Sequence, residues 1–240
     1  MIAQGTESFH EETGMCGRFV RKSPAEIYAS LFHAKGNIDI VPAYNIAPSQ
    51  DVLVARNDPA GERELALLRW GLIPSWAKDP KFGYRTINAR AETVATKPAF
   101  RTAFKRRRCL VASDGFYEWS EANGKQPYYI HMADDAPFGF AGLYEHWEGE
   151  GQIIESCTII VGEPNDMIAR IHDRMPCILD PKDYDRWMDT EVTDAEQLLP
   201  LLRPHPAGKM ALYPVSRKVN SPRNQGPSLL DPTVTEADRT

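Results

Sequence analysis

Alternation of apolar and polar positions is strongest in the middle of the chain. Cys109–Ser113, Gly115–Trp119, Pro127–Met132, Phe138–Trp147 and Ile153–Val161 are short runs rich in β-branched and aromatic residues, separated by turn residues such as Asn123-Gly124 and Glu148–Gly151. Runs of this kind predict strands, and several in succession predict a largely antiparallel, curled or barrel-like sheet. Upstream, Gly17 to Arg21 predicts a short strand carrying Phe19. Val52 and Val54 alternate as in a half-buried strand, Asn57–Gly61 reads as a turn, and Glu64–Leu72 as the returning strand.

Helical signals flank this β-rich region. Ser23-Pro24-Ala25-Glu26 is a capping box with proline at the first helical position, opening an amphipathic helix to about Ala34 with Ile27, Leu31 and Phe32 as its buried stripe. Asn88 and Pro98 read as two further helix starts, and Asn165 caps a segment reaching Ile171. Cys177–Leu179 predicts a strand, Asp180-Pro181 and Thr193-Asp194-Ala195-Glu196 open two more helices, and Val215-Ser216-Arg217 reads as an edge strand. With no repeat or linker, the pattern predicts one α+β domain over residues 15–222: a largely antiparallel, curled or barrel-like β-sheet with flanking helices. Residues 1–14 read as a disordered leader or a mis-assigned start, and residues 223–240 as a disordered tail.

Composition changes this picture little. Cys16, Cys109, Cys157 and Cys177 are widely separated, with no CxxC pair and no zinc-site spacing, so buried thiols in a cytoplasmic protein without a metal are expected. No apolar run reaches membrane-span length. The net charge of −5 argues against a protein that coats nucleic acid. Basic residues nevertheless cluster between Arg85 and Arg108, which leaves room for a local basic groove; a solvated face is the plainer account of the run from Arg101.

The candidate chemistry begins at Met15-Cys16-Gly17-Arg18-Phe19. If residues up to Met15 are absent from the mature chain, Cys16 carries a free α-amine beside its thiol. Such a 1,2-aminothiol condenses with an aldehyde to an imine, and the sulfur then closes a five-membered thiazolidine. An α-amine with its reference pKa near 8 is roughly one-tenth unprotonated at neutral pH. Asn88, Glu118 and His172 are the other polar groups in apolar or glycine-flanked settings. Glu118, between Tyr117 and Trp119, is expected to be desolvated, with its pKa raised. Each also has a structural reading: Cys16 as a buried strand residue, Asn88 as a helix cap, Glu118 on a polar strand face, His172 as a turn residue. Trp70-Gly71-Leu72-Ile73-Pro74-Ser75-Trp76 reads as a buried loop or as an exposed aromatic wedge.

Six blocks in order resemble the SOS-response-associated peptidase (SRAP) family of abasic-site processing or shield proteins. They are Met15–Phe19, Tyr44-Asn45-Ile46-Ala47-Pro48, Trp70–Pro74, Asn88–Thr93, Asp114–Trp119 and Ile171–Pro176. The resemblance implies a DNA damage response protein that binds single-stranded DNA containing abasic sites and joins it covalently through the N-terminal cysteine. It implies Cys16 as nucleophile, Asn88 holding the cysteine or the sugar, Glu118 shuttling protons at the nitrogen, and His172 acting at the sugar ring oxygen. Arg18, Arg90 and Arg174 are implied as phosphate clamps. Trp70, Ile73, Pro74 and Trp119 are implied as base contacts, with Asn45 and Pro48 also counted as DNA-binding. No cofactor is implied, and a monomer that is nucleoid-associated when acting on DNA, with the replication machinery as a further partner, is expected. The leader departs from the family pattern. The mature chain is expected to begin at Cys16, through initiation at Met15 or removal of the leader, the latter fitting the autocatalytic peptidase activity in the family's name. A cysteine peptidase or amidohydrolase pairing Cys16 with His172, and a non-covalent single-stranded nucleic-acid binder, are the competing readings.

Overall fold

The strands expected from Cys109 to Val161 are all present in the computed structural model, which describes residues 16–36 and 38–234. The expected leader, residues 1–14, lies outside the described residues, as do Met15 and residues 235–240. In chain order the strands and α-helices are β1 (Phe19–Arg21), α1 (Ala25–Phe32), β2 (Ala43–Ile46), β3 (Asp51–Asn57), β4 (Arg63–Trp70), β5 (Asn88–Arg90), α2 (Arg101–Arg106) and β6 (Arg108–Ser113). Then follow β7 (Gly115–Ser120), β8 (Gln126–Met132), β9 (Phe138–Gly149), β10 (Gln152–Gly162), β11 (Met175–Pro176), α3 (Tyr184–Met188), α4 (Ala195–Leu198) and β12 (Met210–Pro214).

The long hairpin β9–β10 closes a barrel. β10 pairs antiparallel with β9 and parallel with β4, while β4–β3, β3–β6 and β6–β9 complete the ring with antiparallel pairs. The far end of β10 carries β5 in parallel register, Ile159 opposite Asn88 and Val161 opposite Arg90. It also carries β11 in antiparallel register, Val161 opposite Pro176. A second, five-stranded antiparallel sheet runs β12-β8-β7-β1-β2. Alternate residues of β3 enter different cores, as period-two side chains must. Leu53 and Ala55 pack in a cluster with α1 to α4, while Val52 and Val54 pack in a cluster with Phe19, Phe116 and Ile130 of the second sheet.

Several local expectations are corrected by tertiary contacts. Asn88 starts strand β5, not a helix. Ser23 does not cap α1; its hydroxyl and backbone N–H both donate to the buried Asp114, which also accepts from Lys22 N–H and the Tyr28 hydroxyl. That anchor rotates α1 so that Ala25, Tyr28 and Phe32 face the core, leaving Ile27 exposed and Leu31 half-buried. Asn165 starts only a 3-10 turn, Ile168–Arg170, and the strand expected at Cys177–Leu179 falls two residues earlier as β11. Asp194, not Thr193, caps α4, and the edge strand is β12 rather than Val215–Arg217. Residues 223–234 of the expected disordered tail are ordered: Gln225 bonds to the backbone of Tyr44 and Asn45, and Leu229 is buried. Of the basic run, Arg107 pairs with Glu145 and the buried Arg108 donates to carbonyls of Phe104, Lys105, Trp187 and Asp189. Arg101, Lys105 and Arg106 form the solvated face.

Candidate active site

Cys16 enters β1 beside β7, and β7 presents Glu118 to it. Phe19 lies opposite Phe116 in that pair. Tyr117 and Trp119 point to the other face of the sheet, where Tyr117 packs with Val20, Tyr129, Val215 and Val219. The expectation that these two aromatics desolvate Glu118 is therefore wrong by strand alternation. Glu118 shares the Phe116 face, against the core between sheet and barrel, and only 2% of its surface is exposed. This burial raises its pKa to about 7, against lowering contributions from His172 and the Cys16 thiol. One carboxylate oxygen, Oε1, is buried with no partner among the described residues.

His172 reaches the same place from the turn between the 3-10 helix Ile168–Arg170 and β11. Its Nε2 lies 3.8 Å from Glu118 Oε2. Its Nδ1 accepts from Arg174 N–H at 3.0 Å, which leaves the proton on Nε2, facing the acid; the other tautomer would donate from Nδ1 to the Arg174 carbonyl at 2.9 Å. The Arg174 carbonyl also accepts from Cys16 Sγ at 3.9 Å. Ligand atoms of Cys16, Glu118 and His172 all lie within 4.8 Å of one another. Burial, and then the neighbouring Glu118 carboxyl, push the Cys16 thiol well above its ordinary value. A thiol, a carboxylate and an imidazole at this spacing also have the chemistry to hold a metal ion, a grouping no local spacing could show because the fold assembles it from three distant segments.

Asn88 sits on β5 against Ile159 of β10, with Nδ2 donating to the Ile159 carbonyl at 3.4 Å and Oδ1 buried without a partner among the described residues. The three expected arginines differ. Arg90 is exposed, Arg174 pairs with Glu92, and Arg18 donates to Asn45 Oδ1 and to the carbonyls of Val219 and Asn220, with Trp119 beside it at 6.0 Å. Asn45 is fully buried and donates to the carbonyls of Val219, Ser221 and Asn224, so it is a scaffold for Arg18 rather than a DNA contact. Pro48 and Trp119 are half-buried and keep an outer face.

Trp70, Ile73 and Pro74 are buried, contrary to their expected role as base contacts. Trp70 packs edge-on against Phe19 and donates from Nε1 to the Ile87 carbonyl. Gly71 allows this fold-back: its φ is +128°, and a Cβ there would stand 2.6 Å from the Gly83 carbonyl oxygen. The exposed aromatic of the same loop is Trp76, 55% exposed and edge-on to Phe82. Lys78, Asp79, Lys81, Phe82 and Arg85 line a concavity in the same loop. Trp76 followed by Lys78, Lys81, Phe82, Tyr84 and Arg85 is the sequence signal for this surface, in the loop that delivers Asn88.

A buried acid with a raised pKa carries a stability cost that can be measured. Glu118 rises from its ordinary 4.5 to about 7, so between these values the folded state holds a proton the unfolded chain has released. Stability from this group falls as pH rises through that window and stays at its lowest above it. Glu118→Gln is therefore expected to be more stable than the parent by about 1–3 kcal/mol near pH 8, with little difference near pH 4.5. Urea unfolding at the two pH values checks this; a variant less stable at the higher pH would contradict it.

A mixed barrel with an attached antiparallel sheet thus carries a cluster of a buried thiol, a buried carboxyl and an imidazole. The chain belongs to the SOS response associated peptidase (SRAP) family, which it matches over residues 15–222. It is 44% identical over 223 residues to abasic site processing protein YoqW of Bacillus subtilis, covering 90% of this chain and 99% of the relative. Abasic site processing protein HMCES of Xenopus tropicalis is 36% identical over 221 residues, covering 79% of this chain and 65% of that protein. A crystal structure of a Bacteroides thetaiotaomicron protein is similar with a TM-score of 0.82 at 26% identity, covering 91% of this chain and 100% of the other. Among the described residues no helix is long and apolar enough to cross a membrane.

Proposed function

We propose that this protein senses abasic sites in single-stranded DNA and captures them as a thiazolidine through Cys16, the first residue of the mature chain. The observation that carries this reading is the convergence of Cys16, Glu118 and His172 within 4.8 Å. The names of YoqW and HMCES as abasic site processing proteins support it, as does a family match that starts at Met15. The α-amine adds to the ring-opened sugar aldehyde to give a carbinolamine. Protonation of its hydroxyl by Glu118 expels water and leaves an iminium. Cys16 Sγ then attacks the iminium carbon and passes its proton to Glu118, so aldehyde, amine and thiol become thiazolidine and water. Because Glu118 titrates near neutrality, it can both give and take this proton.

Asn88 Oδ1, buried without a partner among the described residues, is suited to accept from the amine or a sugar hydroxyl. In this reading Arg18, Arg90 and Arg174 meet phosphates, and the exposed Trp76 takes the base-stacking role expected of Trp70. A thiolate peptidase is the weaker reading: such enzymes depress the cysteine pKa, whereas burial and Glu118 raise that of Cys16. The test uses abasic and intact oligonucleotides with denaturing gels. A heat-resistant shift confined to abasic single strands is expected; equal shifts on both, or none, would overturn the proposal.

A further inference from the structure

Arg174 does two things at once. Its backbone holds the reacting groups, the N–H bonded to His172 Nδ1 and the carbonyl facing Cys16 Sγ. Its guanidinium leaves that cluster and pairs with the carboxylate of Glu92. Glu92 lies two residues past β5, in a turn closed by the Thr93 N–H donating to the Arg90 carbonyl. Partial burial works against ionisation of Glu92, but the hydrogen bond from Arg174 and the charges of Arg174 and Arg90 hold its carboxyl below the usual range. Arg90 and β11 also flank the same point of β10, Val161, from opposite sides. Arg174, one of the three arginines suited to phosphate, is therefore already paired with an anion that the protein itself supplies, and the charge of Arg90 also acts on that carboxylate.

We infer that Glu92 is a built-in stand-in for a DNA phosphate, occupying Arg174 in the free protein and displaced by the strand when it binds. The inference rests on the proposed reading of Arg174 as a phosphate clamp. A carboxylate and a phosphate oxygen accept from the same guanidinium donors with similar geometry, so one can replace the other. The exchange makes the Arg174–phosphate contact a difference between two like interactions. Displaced Glu92 then faces solvent near the phosphate and attracts a cation, which cancels part of the counterion release that drives binding. The protein thereby holds intact strands weakly and depends on the covalent step to retain a lesion. Glu92 is a tuning residue that acts through Arg174; it does not touch the reacting atoms.

The expected effects follow from removing the competitor. Glu92→Gln tightens binding to intact and abasic single strands by roughly two- to fivefold, the upper range of a partly exposed ion pair. It also steepens the dependence of log affinity on log salt by about 0.7, the single-strand increment for one phosphate contact. Fluorescence anisotropy with a labelled single-stranded oligonucleotide across a salt series, on the parent, Glu92→Gln, Arg174→Gln and the double variant, provides the test. Thermal melts confirm that each variant is folded. The inference holds if Glu92→Gln tightens binding in the parent but not in the Arg174→Gln background. If Arg174→Gln weakens binding while Glu92→Gln leaves it unchanged or weakens it too, Glu92 merely positions the arginine and the inference fails alone. A Glu92→Gln gain that persists in full without Arg174 reduces it to general repulsion and also overturns it. If Arg174→Gln changes neither affinity nor salt slope, the phosphate reading of that arginine fails first.

Discussion

Cys16→Ser is expected to abolish the heat-resistant adduct with abasic DNA while leaving non-covalent affinity for single strands within about twofold. Only a 1,2-aminothiol closes the stable ring; serine retains the amine, so a hydrolysable imine can still form, but its oxygen is a far weaker nucleophile toward the iminium carbon. We expect the yield of boil-stable product to fall by about 100-fold or more. Affinity is spared because the arginines proposed to meet phosphates, Arg18, Arg90 and Arg174, make no side-chain contact with the sulfur. The fold is spared because the exchange is nearly isosteric at a buried position whose thiol sits 3.9 Å from the Arg174 carbonyl and faces the Glu118 carboxyl, partners that a serine hydroxyl can also serve. Intact-mass measurement on the parent protein belongs to the same experiment, since the chemistry requires Cys16 to be the first residue. A crosslinking preparation whose mass retains Met15, or a serine variant that forms the adduct at the parent rate, would mean that another amine carries the reaction.

What was legible in the sequence divides by the range of the contacts involved. β6 to β10 are each set by local alternation and bounded by turns such as Glu148–Gly151, where Glu150 and Gly151 both take positive φ. Their closure into a barrel was visible only as a class. It depends on the parallel pairing of Cys157 with Trp70, a partner far away in the chain that periodicity does not name. Asn88 failed as a helix cap for the same reason: three residues of β5 are held extended by β10, and nothing local says so. α1 was right in extent and wrong in facing, because Tyr28 answers to Asp114 rather than to the amphipathic pattern.

The site was legible in a different way. Cys16, Glu118 and His172 stand out as oddities of their segments, and the ordered sequence blocks join them. Residues that bury a polar group for packing look the same in sequence as residues that expose one for binding. Asn45 and Trp70 therefore read as DNA contacts in sequence, although one holds Arg18 and a loop and the other fills the core. Trp76, six residues on, is the exposed aromatic of that loop, and sequence alone does not single it out because burial within one apolar loop is decided by Gly71 and its close approach to Gly83.

Glu118→Gln and His172→Ala are expected to fail in different ways, and the pH profile separates them. Imine formation needs a base to free the amine and an acid to expel water, and positioned groups of this kind typically contribute about 10²–10⁴ in rate. Glutamine fits the Glu118 pocket but neither gives nor takes a proton, so the single-turnover rate should fall by about that factor. The parent rate should also change slope near neutral pH, where Glu118 titrates, and the glutamine variant should lose that feature. His172 acts from the other side: Nε2 faces Glu118 at 3.8 Å, while the ring is held by Arg174 N–H on Nδ1. If it serves the sugar oxygen, His172→Ala slows ring opening and, by microscopic reversibility, release of the adduct, leaving the final yield nearly unchanged. Removing His172 has a second consequence. Burial raises the Glu118 pKa and the electrostatic interaction with His172 opposes that rise, so without the imidazole the Glu118 feature in the profile should move to higher pH. Crosslinking and reversal rates measured across pH on parent and both variants test every part of this division. Parent rates from both variants at every pH would make the cluster structural and leave the capture of the aldehyde to Cys16 alone.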